Sequence, residues 1–324
     1  MRIGIIGAGI IAEKISQTLV ERWGEMLYAV ASRDMAKAQA FAQRNGFVRA
    51  YGSYEEMVCD PMVDIVYVAT PHSHHYEHAR LALEHGKAVI CEKAFTANAR
   101  EARALIELAR ERGLFLMEAM WTRFMPLMHR LKEVLDSGIV GRPRLLTASL
   151  CWAMTHVPRI SRADLCGGAL LDLGIYCLTF ADMFMGRDIK HITSNVVKGG
   201  EDVDWTSTIS ILYNDGKIAN LQCSACCYDK RGVIACERGR IEVDAVNWPH
   251  WVKVYDHTGA LVEEIGQPED QVSGYEFEFL AAEEALENRW TEHPLMPHAT
   301  TLHLMEIMDS LRRDWGVVYP NDNK

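Results

Sequence analysis

Short apolar runs alternate with amphipathic stretches over the first 120 residues. Arg2 to Ile6 reads as a buried strand, Ile10 to Arg22 has helical spacing behind a glycine turn, and Leu27 to Ser32 is a second strand. The pattern continues with helix over Met35 to Asn45, strand over Val63 to Ala69, helix over His75 to His85, and strand over Ala88 to Cys91. An Ala-rich helix from Ala99 to Arg112 and a strand from Phe115 to Met117 close the series. Such alternation predicts a parallel, doubly wound α/β sheet. After Trp121 the texture changes. A helix over Leu127 to Ser137 precedes strands at Leu145 to Cys151, Ile189 to Val197, Thr206 to Tyr213 and Lys217 to Cys227, the last two joined by an Asn214-Asp-Gly216 hairpin signal. Strands at Arg240 to Val243, Trp251 to Tyr255 and Leu261 to Ile265 follow, then helices near Tyr275 to Asn288 and Ala299 to Trp315. This half predicts an α+β domain whose mostly antiparallel sheet carries helices on one side. The expected division is 1–121 and 122–324.

Length and composition agree with that division, because 324 residues exceed one ordinary core and 49% apolar content fills two. A net charge of -10 argues against nucleic acid or an anionic membrane as the main partner, both of which need a cationic footprint. Small-molecule chemistry is the expectation. No run suggests the roughly 18 apolar residues of a membrane span, so a cytoplasmic location is expected.

Nine scattered cysteines do not suggest a disulfide framework. Cys223-Ser-Ala-Cys226-Cys227 has the two-residue gap of a zinc turn, yet no second pair accompanies it; buried strand cysteines are expected.

Gly7-x-Gly9-x-x-Ala12 falls between the first strand and the first helix. Gly7 permits the tight turn, Gly9 lets a pyrophosphate approach, and Ala12 lets helix and strand pack closely. Ile10, Ile11 and Ala12 then stand at the helix N-terminus where phosphates bind. At the end of the second strand the chain reads Ser32-Arg33-Asp34 with Lys37 a turn later. A hydroxyl and a guanidinium there suit the 2′-phosphate of NADP, although NAD stays open. The loop Thr70-Pro71-His72-Ser-His74-His75-Tyr-Glu-His78 lies past a strand end, where such folds place cofactor contacts. Its four histidines invite a metal reading, but their spacing supplies no third ligand, so no metal is expected.

Glu92-Lys93 follows a strand, so the lysine emerges at the carboxyl rim of the sheet, suited to hydrogen-bond a substrate hydroxyl. Gly167-Gly168 leads a helix on which Asp172 and Tyr176 are four apart and share a face. The alternatives are a solvated lysine, a structural tyrosine, and an aspartate paired with a distant arginine. Trp121 and Arg123 are candidate pocket walls and cofactor contacts. Together these features point to nicotinamide-dependent alcohol and carbonyl chemistry.

The N-terminal GAGIIA, the TPHSHHYEHA loop, the Glu92-Lys93 pair, the run Met117 to Pro126 and GGALLDLGIY resemble, over the whole length, the glucose-fructose oxidoreductase, inositol dehydrogenase and rhizopine-catabolism family, nearest its dimeric dihydrodiol dehydrogenase branch. The resemblance implies a Rossmann domain, an open-faced sheet used for homodimerisation, Lys93 and Tyr176 as catalytic lysine and tyrosine, and Asp172 as the substrate-site aspartate. It also implies hydride transfer between nicotinamide and a sugar, polyol or cyclic diol. A non-catalytic NADP sensor and a redox-assisted glycoside-cleaving enzyme are the alternatives. One departure stands out: the family writes Glu-Lys-Pro, and this chain has Ala94 in place of the proline.

Overall fold

The computed structural model describes residues 1–323. Two compact units emerge, Met1–Trp121 with Val272–Glu306, and Thr122–Gln271 with the stretch from Ile307 onward. In the first, β1 (Ile3–Ile6), α1 (Ile10–Trp23), β2 (Leu27–Ala31), α2 (Met35–Asn45), β3 (Arg49–Tyr51), α3 (Tyr54–Val58), β4 (Ile65–Val68), α4 (His72–Glu84), β5 (Ala88–Glu92), α5 (Ala99–Arg112) and β6 (Leu116–Ala119) alternate as the sequence predicts. All six strands are parallel, in the order β3-β2-β1-β4-β5-β6. The order reverses between β1 and β4, the switch point beside which doubly wound sheets bind ligands. Ile3, Ile5, Ile65, Val66, Val89 and Ile90 are fully buried, which explains their unbroken apolar runs. Two elements of this unit escaped the sequence pattern, β3 and α3, because three and five residues hold too little of a period to register.

In the second unit, α6 (Pro126–Asp136), β7 (Pro143–Cys151), the single turn α7 (Pro158–Ser161), a π-helical turn Leu170–Gly174 and α8 (Ile175–Met185) come first. The strands β8 (Ile189–Gly199), β9 (Val203–Tyr213), β10 (Ile218–Ser224), β11 (Gly232–Cys236), β12 (Gly239–Val243), β13 (Trp251–Asp256) and β14 (Leu261–Gly266) complete an eight-stranded sheet, ordered β14-β13-β12-β11-β7-β10-β9-β8. Only β7 and β10 pair in parallel. The predicted hairpin joins β9 to β10, with Gly216 at φ +84° and the amide of Tyr213 donating to Lys217 at 3.0 Å. The helix α8 packs on β7 and β10.

Two expectations are corrected here. The helical stretch Ala163–Met185 is long and apolar enough to cross a membrane, contrary to the reading that no run is; its most apolar window is 89% buried, so its hydropathy reflects a core position. The strand expected through Cys227 ends at Ser224, because Trp152 and Met154 donate to the carbonyls of Ser224 and Ala225; Cys223 is buried, whereas Cys226 and Cys227 are exposed.

The helix α9 (Glu276–Glu287) belongs to the first unit, although the sequence division placed it in the second. Phe279 and Ala282 are fully buried, and the Phe279 ring meets that of Tyr67 on β4 at 5.2 Å. The segment after α9 also covers the edge strand β6. Leu116 donates to the carbonyl of Thr291 at 3.0 Å and accepts from the His298 ring at 2.8 Å, removing the open backbone an edge would expose. Neither contact has a local sequence signature.

Candidate active site

The turn after β1 needs its glycines for different reasons. Gly7 has φ +104°, and a Cβ there would stand 2.8 Å from the carbonyl oxygen of Ala69. A Cβ on Gly9 would meet nothing within 4 Å, because it faces a cavity of about 440 Å³ lined by Ala8, Gly9, Ile10, Glu13, Lys14 and Lys37. No side chain caps α1 at Gly9, so its first-turn amides, around Ile10, Ile11 and buried Ala12, are open to an anion. This cradle fits a dinucleotide diphosphate.

At the end of β2, Asp34 is turned away from ligand duty. Its carboxylate caps α2 by accepting the amide of Lys37 at 3.2 Å, and its own amide donates to the Ser32 hydroxyl at 3.3 Å. Arg33 and Lys37 remain exposed on the rim, with Arg33 hydrogen-bonded to Tyr54.

Helix α4 begins at His72, three residues earlier than the apolar spacing implied, with Pro71 at its N-cap. The Thr70 hydroxyl bonds His78 Nδ1 at 3.0 Å, and the His74 and His78 rings stack at 5.7 Å. His72 is buried and meets the His75 ring edge-on. His75, an expected cofactor contact, is instead buried with Nδ1 facing the carbonyl of Ala94 at 2.8 Å and Nε2 that of Thr70 at 2.7 Å. Both ring nitrogens are thereby occupied within the chain. No group of three or more metal-ligating side chains converges among the described residues.

Lys93 follows β5 and is half-buried, its amide donating to Glu92 at 3.1 Å; the Lys93–Ala94 peptide is cis. Glu92, another expected cofactor contact, is buried and accepts a hydrogen bond from Tyr67. Below it lies Glu278 of α9, fully buried with neither carboxyl oxygen hydrogen-bonded; burial and then Glu92 push its pKa well above the carboxylate range. Trp121 is buried and stacks on Tyr275 at 4.2 Å.

In the second unit, Gly168 has φ +114°, and a Cβ there would stand 2.2 Å from Asp204 Oδ1. That close approach starts the helical stretch bearing Asp172 and Tyr176, both buried. Its first turn is π-helical, a local irregularity common at functional sites. Asp172 pairs with Arg159, whose side chain is 45% exposed while that of Asp172 is 6% exposed. The alternative of an arginine partner for Asp172 is met by Arg159, 13 residues away on α7, a residue the sequence did not single out. Arg123 does not present a free wall: its guanidinium pairs at 2.8 Å with buried Asp182, which Arg187 also grips.

Sequence reasoning missed Arg159, Tyr67, Glu278, Asp204 and Tyr275. Only Arg159 had a signal, since a buried aspartate needs a cation.

A diphosphate turn at the switch point of a parallel sheet, with a lysine at a neighbouring strand end, defines a dinucleotide-dependent oxidoreductase. The chain belongs to the GFO/IDH/MocA family: residues 1–120 match its oxidoreductase NAD-binding Rossmann-fold model and residues 128–242 its C-terminal domain model. Trans-1,2-dihydrobenzene-1,2-diol dehydrogenase of Mus musculus is 34% identical over 100% of this chain and 99% of its own length. That of Macaca fascicularis is 35% identical over 99% of each. A 3-ketoreductase from Actinomadura kijaniata, solved with NADP and TDP-benzene, superposes with TM-score 0.85 at 27% identity over 97% of both chains. An aldose-aldose oxidoreductase from Caulobacter crescentus shares the fold, with TM-score 0.85 at 22% identity over 98% of this chain and 97% of that one. The chain is accordingly an NAD(P)-dependent oxidoreductase acting on CH–OH groups of a small molecule.

Proposed function

We propose that the protein is an NADP-preferring dehydrogenase of a secondary alcohol in a sugar, polyol or cyclic trans-diol. One observation carries this reading: β1, β4 and β5 are neighbours, so the phosphate turn, Thr70-Pro71 and Lys93 stand on three adjacent strand ends. NADP preference rests on Arg33 and Lys37 at the rim and on the diversion of Asp34 to its helix cap, which leaves cations for a 2′-phosphate.

When bound, the nicotinamide supplies the carbon that takes or gives the hydride. Gly9 and the amides of Ile10, Ile11 and Ala12 hold the diphosphate. Tyr176 Oη passes the proton of the reacting hydroxyl, and the Lys93 ammonium lowers that oxygen's proton affinity and orients it. Asp172, steadied by Arg159, accepts a hydrogen bond from the neighbouring hydroxyl.

The protein works as a cytoplasmic homodimer paired through the sheet face opposite α8. Supporting this, the facing rows Thr147, Asn220 and Ser210 and Ser149, Gln222 and Thr208 carry no charge.

Fluorescence titration with NADP and NAD, followed by turnover on aldoses and cyclic diols, tests the reading. Tight NADP binding with turnover lost in Lys93→Ala and Tyr176→Phe is expected. Binding without turnover on any substrate favours a sensor, and no binding sinks the cofactor assignment.

A further inference from the structure

Ala94 stands where the family's proline would stiffen the turn that presents Lys93, and it has no side chain to do so. The turn is braced by hydrogen bonds instead. The peptide group joining Ala94 to Phe95 is gripped at both ends: its carbonyl faces His75 Nδ1 at 2.8 Å, and its N–H donates to Glu118 Oε1 at 3.2 Å. Glu118 is itself buried and accepts from the Thr301 hydroxyl at 2.9 Å, so that end of the clamp is fixed. The other end is a ring with 1% exposure. His75 also reaches the Thr70 carbonyl at 2.7 Å, tying the loop after β4 to the turn after β5.

We propose that His75 is a positioning residue for Lys93, acting through the carbonyl of Ala94. Fixing the peptide one residue beyond Lys93 fixes the backbone from which the lysine side chain springs. Without it the lysine samples several directions, and a displacement of about 1 Å at a reacting group costs on the order of 100-fold in rate. A neutral imidazole has one proton and here faces carbonyls on both sides. The tautomer with the proton on Nδ1 is the one that holds the Ala94 carbonyl by donation, and the proposal requires it. Burial, with Lys93 nearby, holds the ring neutral by lowering its pKa to about 4. A charged ring would satisfy both carbonyls, and burial outweighs that gain.

This inference rests on Lys93 being the catalytic lysine, and the test separates the two. The full-length protein is compared as wild type, His75→Ala, His75→Gln, Lys93→Ala and the His75→Ala, Lys93→Ala double variant. Turnover uses NADP with trans-1,2-dihydrobenzene-1,2-diol, or the best aldose or cyclic diol of the panel. His75→Ala should lower kcat on the order of 10–100-fold, His75→Gln should recover much of this by donating an amide N–H to Ala94, and the double variant should lose no more than Lys93→Ala alone. Equal losses with and without Lys93, or no loss, overturn the proposal; wild-type kcat in Lys93→Ala would instead sink the lysine assignment. A second readout needs neither cofactor nor substrate. After reductive ¹³C-methylation, the Lys93 signal, assigned through Lys93→Arg, should be single in wild type, altered in His75→Ala and restored in His75→Gln. An unchanged signal in a folded His75→Ala overturns the proposal whatever the activities.

Discussion

Asp204 accepts the backbone amide of Leu170 at 2.6 Å from a carboxyl group with no exposure at all. Its other oxygen, Oδ1, has no hydrogen-bond partner and leaves no room for a side chain on Gly168. One buried carboxyl therefore sets where the helical stretch of Asp172 and Tyr176 begins. Burial pushes its pKa up to about 7, against the opposing pull of the Leu170 amide and Arg312.

That placement makes stability depend on pH in a defined direction. In the unfolded chain the carboxyl loses its proton near 3.8, while in the folded protein it keeps it to about 7. Between these values the folded state binds more protons, so the contribution, complete below 3.8, is lost as pH rises and levels off above 7. The full span is about 4 kcal/mol. Asp204→Asn retains an acceptor for Leu170 without the titration. Urea unfolding at several pH values should show the variant gaining on wild type from pH 4 to 7, whereas parallel curves would refute a raised carboxyl.

Arg159 and Asp172 make a different kind of pair, one member half-exposed and the other nearly enclosed. Removing the guanidinium in Arg159→Ala strands a buried carboxylate, at a cost near 1–2 kcal/mol, less than for a fully buried pair. With Asp172 holding a substrate hydroxyl, kcat/KM should fall roughly tenfold. Arg159→Lys should restore only part of it, lacking the planar fork. Steady-state kinetics on the three proteins decides, and an unchanged kcat/KM in Arg159→Ala would remove Arg159 from the site.

The parallel sheet was legible in the sequence because its strands are buried on both faces and its longer helices have a clear period; Ile3 to Ile6 and Ile65 to Val68 leave little choice. Gly7, Gly9, Lys93, Asp172 and Tyr176 could be singled out in the sequence because the patterns that mark them are local in spacing. What stayed hidden depends on contacts between distant segments: Glu278 beneath Glu92, Glu118 bonded to Thr301, and Asp204 against Leu170, none of which has a periodicity. His75 stood out in the sequence only as part of a histidine-rich loop; that its ring lies buried between the carbonyls of Ala94 and Thr70 depends on a contact with a segment 19 residues away.

The two glycines of the phosphate turn should separate cleanly on mutation. Gly7→Ala forces a Cβ against the Ala69 carbonyl at a backbone angle that L-residues avoid, and should destabilise the protein by about 2 kcal/mol. Gly9→Ala meets no atom and should leave the melting temperature nearly unchanged while weakening dinucleotide binding at least tenfold, since its methyl enters the diphosphate cavity. Thermal unfolding and fluorescence titration of both variants check this, and equal losses of stability would mean that the turn has one structural role throughout.

Cofactor choice turns on which of the adjacent residues Arg33 and Asp34 faces the ligand. Asp34 spends its carboxylate on the amide of Lys37, so Asp34→Ala should cost about 1 kcal/mol through the lost helix cap and leave the NADP to NAD affinity ratio within about threefold. Arg33→Ala should reduce NADP affinity about 10–100-fold through the lost guanidinium–phosphate contact while barely touching NAD, which has no phosphate at that position. Titrating both variants with both nucleotides at fixed salt measures the ratio directly. A ratio that collapses in Asp34→Ala instead would mean that the aspartate leaves its cap for the ribose, and the preference for NADP would then rest on a different group from the one the geometry indicates.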